Sequence, residues 1–89
     1  MKIYKYEISL SKKTTIEVSF SGRVVHCGSQ NNTPCLWILV DTHPNDFAIK
    51  RTFEIVGTGW DTPDNYNYVG TYQQGGFVWH IMEVENDTN

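Results

Sequence analysis

His26 and Cys27 are adjacent, and Cys35 and His80 follow, so the chain holds both residue types of a thiol–imidazole dyad. Neighbours on a strand point to opposite faces, so His26 and Cys27 cannot serve each other. A dyad would need His80 brought to Cys27 or Cys35 across a sheet, and no motif in the sequence arranges that. Metal binding needs three or four converging ligands, and His26, His43, His80, Cys27 and Cys35 lack the short paired spacings of zinc sites. Gly57-Thr58-Gly59 has no third glycine and no helical pattern behind it, so it is no dinucleotide fingerprint. The residues argue against an enzyme and call for no cofactor and no metal.

They suit binding better. Three β-prone phrases fill the second half, at 53–60, 68–72 and 77–81, and the first two break at Val-Gly-Thr followed by an aromatic ring. Glycine in a strand lets another backbone or a ligand come close, and the ring supplies a face to stack on. The planar fork of Arg51 can hold a phosphate bidentately. Thr58, the amide of Gly59 and the ring of His80 add hydrogen-bonding groups, and Trp60, Tyr66 and Tyr72 supply rings. The set Arg51, Thr58, Gly59, Trp60, Tyr66, Tyr72 and His80 is therefore the expected ligand site, for a small nucleotide-like molecule. A plainer account competes. In it Arg51 pairs with Glu54 or Glu7, the glycines serve a bulge, and Trp60 folds back to cap an edge of the fold.

Strands must position these residues. Alternation of apolar and polar residues runs through 3–10 and 15–20, and helical periodicity is almost absent. Residues 23–30 read as a third strand, apolar at Val24, Val25 and Cys27. Residues 35–40 are continuously apolar, as in a strand covered on both faces or set against a partner subunit. Residues 50–58, 68–72 and 77–85 complete about seven short strands. Residues 61–67 form the longest loop, and a short helical turn is expected near 45–49. The fold class is all-β: a small antiparallel sandwich or rolled barrel, one domain over 1–85 with a tail at 86–89. Turn chemistry at Asn31-Asn32-Thr33-Pro34 joins two strands. A loop of 30–32 would set Cys27 opposite Cys35, and a loop of Asn31-Asn32 alone would put them on opposite faces.

The formal charge is −3, with seven basic residues scattered along 89, which argues against nucleic-acid binding. No apolar run approaches the ~20 residues of a membrane span, and no secretory pattern opens the chain. A chain this short has a thin stability margin, so self-association into a homo-oligomer is expected.

Pro34-Cys35-Leu36-Trp37, residues 51–59, Val69-Gly70-Thr71 and Val78-Trp79-His80, in this order, resemble a family of small phage-encoded proteins of unknown function. The resemblance implies a phage product acting in the cytoplasm of a bacterial host and carries over no catalytic residue. The expected function is a non-enzymatic modulator of host defence that sequesters a nucleotide-like signal. The alternative is a module that inhibits a host or defence protein by docking through its sheet edge or the Trp60 loop.

Overall fold

A computed structural model describes residues 1–43 and 46–85. Seven strands run in order: β1 (Lys2–Glu7), β2 (Thr14–Ser19), β3 (Arg23–Gln30), β4 (Thr33–Val40), β5 (Ala48–Gly57), β6 (Tyr66–Gln74) and β7 (Phe77–Val84). They form a three-stranded sheet, β1-β4-β3, and a four-stranded sheet, β2-β5-β7-β6, with every pairing antiparallel. Of the two expected architectures the open sandwich is the one formed, because neither sheet closes on itself.

The helical turn expected near 45–49 is replaced at its end by strand, since Ala48 and Ile49 begin β5. Pairing with Ser19 and Val18 overrides the local turn signal there. Asn45 lies outside the described residues. Among the described residues no helix is long and apolar enough to cross a membrane.

Alternation builds the core. Leu36, Ile38 and Val40 of β4 face Val18, Phe53, Ile55, Tyr72 and Ile81 of the second sheet, and Ile8 closes the cluster. Burial of such side chains contributes roughly 1.5–3 kcal/mol each. The β3–β4 turn is Asn31-Asn32, both at positive φ (53° and 63°), with Gln30 opposite Thr33. Two central residues of positive φ match the twist of a hairpin, and Asn tolerates them. The two-residue loop settles the cysteine register. Cys27 faces Leu36 and Cys35 faces Gly28, and both thiols are free.

β5 and β6 both pair antiparallel with β7, so they run parallel with β7 between them. Residues 58–65 must therefore travel the length of the sheet over one face. Val56, Met82 and Val84 alternate away from the core yet are buried. Pro63, Asp64 and Asn65 share a cavity with Glu54 and Val84, so the crossover covers this outer face. The loop expected at 61–67 is thus a cover for the sheet, and its last two residues already belong to β6.

Candidate functional site

At the end of β5 the chain reverses: Trp60 N–H donates to the Gly57 carbonyl (3.0 Å), and Gly59 sits at φ 91°. The turn lays the Trp60 indole over Gly57. A Cβ on Gly57 would lie 3.0 Å from Cε2 of Trp60 and 3.2 Å from Cζ3 of Trp79, so a larger residue there would push the rings back by a few tenths of an ångström. Trp60 meets Trp79 edge to face, with centroids 5.5 Å apart at 80°, and the Phe77 ring lies 5.7 Å from that of Trp79. Together they line a groove of about 410 Å³ with Gly57, Thr58 and Val78. Trp60 remains 58 % exposed and Phe77 64 %. None of the residues lining this groove carries a charge.

Beside the groove, on the outer face of the sheet, His80 sits between two hydroxyls. Its Nε2 is 2.8 Å from Thr58 Oγ1 and its Nδ1 is 2.9 Å from Thr71 Oγ1. Thr71 Oγ1 is also bonded to Tyr68 Oη, and Thr58 Oγ1 donates to the Val78 carbonyl (3.4 Å). The tautomer with its proton on Nε2 satisfies this chain: Nε2–H donates to Thr58, and Nδ1 accepts from Thr71. A hydroxyl on an imidazole has the form of a nucleophile and base, but the third group here is a threonine and not an orienting carboxylate. Cys27 is elsewhere, packed on Gly70, and burial pushes its thiol up, away from the reactive thiolate. Among the described residues no group of three His, Cys, Asp or Glu side chains could hold a metal.

The structure brings Thr58, Gly59, Trp60 and His80 together and separates the other three. Arg51 lies seven residues back along β5, about 23 Å at ~3.3 Å per strand residue. Its Nε and Nη2 each donate to one oxygen of Glu83 (2.7 Å both), and Nη1 donates to the Gly22 carbonyl (2.8 Å). All three guanidinium nitrogens therefore bond inside the protein. The partner is neither Glu54 nor Glu7, because the β5–β7 register sets Glu83 beside Arg51 on the core side. Tyr66 lines a separate cavity of about 500 Å³ with Lys50 and Arg51, where the three carboxylates of Asp64, Glu83 and Glu85 outnumber the two cations and disfavour an anion. Phe77 and Thr71 are missing from the sequence-derived set. Phe77 was within reach of sequence reasoning, since it stands two residues from Trp79 and so on the same face of one strand, whereas only strand pairing sets Thr71 across from His80.

Tyr72 is in the core, opposite Trp79, and its hydroxyl finds no partner among the described residues. Burial first, with Cys27 and Cys35 adding to it, pushes the phenol up to about 12. A raised phenol favours the protonated form in the fold. Its stabilising contribution is therefore complete below about pH 10, the ordinary phenol value, and is lost as pH rises toward 12. Tyr72→Phe removes both the buried unpaired hydroxyl and this titration. We expect it to hold or raise stability by about 1 kcal/mol at neutral pH and to flatten the alkaline fall relative to the parent. Urea unfolding from pH 8 to 12 measures both effects.

No curated protein and no solved structure matches the chain. The family model of a domain of unknown function, DUF7352, matches residues 1–89, and the chain belongs to that family.

Proposed function

We propose that this chain is a non-enzymatic binding module that docks a protein partner through its end groove, where Trp60 and Phe77 receive an apolar or aromatic side chain. One observation carries the reading: three rings converge around an uncharged groove, and two of them are left largely exposed. Covering such rings stabilises a complex by roughly 1.5–3 kcal/mol each, and Trp is over-represented among residues that dominate interfaces. In the phage setting implied by the sequence resemblance, the partner is a host or defence protein in the bacterial cytoplasm.

A second reading rests on Thr58 and His80 at the rim. There Trp60 stacks on the base of a small nucleotide-like molecule, whose edge takes the place of one bond in the Thr58–His80–Thr71 chain, and the protein acts by sequestration. Arg51, paired with Glu83, contributes no phosphate contact in either reading.

Trp60→Ala should weaken the complex by at least about 2 kcal/mol, or some 30-fold, while the fold persists. The measurement compares parent and variant in capture from bacterial lysate and in native mass spectrometry. A protein held by the parent and lost by Trp60→Ala supports docking. An adduct of small-molecule mass that disappears in the variant favours sequestration, and equal capture by both proteins sinks the groove.

A further inference from the structure

The edge strands are β1 and β3 in one sheet and β2 and β6 in the other. β2, unbroken in register like β1, is exposed at only two of its six residues. β3 and β6 carry bulges, at Val24/His26 and Tyr68/Gly70, and they pack on each other. β1 pairs with β4 in unbroken register over all six residues and is exposed at five of them. The Ile8 N–H donates to the Pro34 carbonyl directly opposite, which sets the parity of the ladder. Backbone groups of Lys2, Tyr4 and Tyr6 therefore turn to β4, and those of Ile3, Lys5 and Glu7 point off the edge. A lysine over an edge usually guards it. Here the Lys5 amine is drawn across the outer face to Gln30 Oε1 (2.6 Å), leaving Ile3 57 % and Tyr4 44 % exposed, with Lys2 at the start of the strand as its other cation.

We propose that a second copy of the chain pairs with this edge, antiparallel, so that the three-stranded sheet runs on across a two-fold axis. Such an axis stands perpendicular to the sheet and matches residues of like parity, with Ile3, Lys5 and Glu7 bonding to the same set. Centring on Lys5 sets two lysines face to face, and centring on Ile3 pairs only residues 2–4 of the strand. Centring on Tyr4 pairs residues 2–6: Tyr4 meets the second copy's Tyr4, Ile3 meets its Lys5, and Tyr6 meets its Lys2. By alternation Lys2 lies on the face turned toward the other sheet. On that side a cavity of about 300 Å³ opens between β1 and β2, lined by Tyr4, Tyr6, Glu17, Asp41 and Asp46, with no Lys or Arg among its lining residues. The second copy's Lys2 brings a cation to this acidic, ring-walled space, which a single copy does not fill. Charge, parity and the free backbone groups select the same register.

Three variants of the full chain test it. In that register two Tyr4 residues form a non-hydrogen-bonded pair with Cα atoms about 4.5 Å apart, within disulfide reach. Tyr4→Cys should therefore form a covalent dimer in air, and Ile3→Cys, facing Lys5, should not. Lys5→Pro removes an N–H that β4 does not use, so it should give a folded monomer by circular dichroism and sedimentation where the parent is a dimer. The proposal is overturned by a parent that stays monomeric at the highest concentration measured. It is equally overturned by a dimer that survives Lys5→Pro, or by Tyr4→Cys cross-linking no faster than Ile3→Cys.

Discussion

Arg51→Ala should cost about 2–3 kcal/mol of stability and leave binding at the end groove unchanged. The guanidinium and the Glu83 carboxylate are only 16 % and 24 % exposed, and they meet through two parallel bonds of 2.7 Å. Removing one member of a buried pair strands the other charge, at a cost of about 3–5 kcal/mol when burial is complete. Partial exposure of both groups lowers that figure. The lost bond to Gly22 and the packing of the guanidinium near the Phe53 ring, 5.7 Å from its centroid, raise it again. For a domain of this size the loss corresponds to a fall in Tm of about 10–20 °C. Arg51→Lys keeps the charge without the fork and should fall between the two. Replacing both partners, Arg51→Met with Glu83→Leu, should recover much of the loss, since an apolar pair leaves no stranded charge. The contrary result is informative: unchanged Tm with lost binding would restore Arg51 to the site in which its residue type first placed it.

That difference shows which kind of information the sequence carries. Alternation along 3–10, 15–20 and 53–57 reports burial directly, because each residue's face depends only on its own strand. Ile8, Val18, Phe53 and Ile55 were legible as core for that reason, whereas Leu36 and Ile38 stand in the continuously apolar run 35–40, which offers no alternation to read. Leu10 and Phe20, of inward parity, lie past the ends of their strands and are exposed. The Asn31-Asn32 turn was legible as turn chemistry, but not its length, and one residue of loop decides whether Cys27 and Cys35 meet. Partnership across strands is another matter. Glu83 was as eligible a partner for Arg51 as Glu54 or Glu7, and only the β5–β7 register chooses it. Trp60 and Thr58 could be placed together because they are two residues apart, and His80 joins them only because β7 lies next to β5. Local spacing thus found one half of the candidate site, and it wrongly joined to it Arg51 from the far end of the same strand.

The two Val-Gly-Thr breaks mark close approach, and at the second the approach is tighter. A Cβ built on Gly70 would stand 2.5 Å from Cys27 Sγ, closer than any real contact, where β6 packs on β3. Gly70 is not among the residues of positive φ, so its backbone makes no demand for glycine. Alanine in a strand should, on conformational grounds alone, gain roughly 0.5–1 kcal/mol over glycine. Gly70→Ala should instead lose about 2–3 kcal/mol, the cost of overpacking a filled core. The sulfur is the obstacle: Cys27 Cβ, at 3.8 Å, would be in ordinary contact. Cys27→Ala in the same chain should therefore rescue the variant, with a coupling of about 2 kcal/mol between two residues that no hydrogen bond joins. Thiol labelling gives an independent readout. Cys27 is half-buried and its thiol is held protonated by burial, so it should alkylate slowly in the parent and faster once Gly70→Ala pries the sheets apart. If the double variant is no more stable than Gly70→Ala alone, the sulfur is not what demands glycine there. Position 70 would then be constrained by the β6 bulge itself.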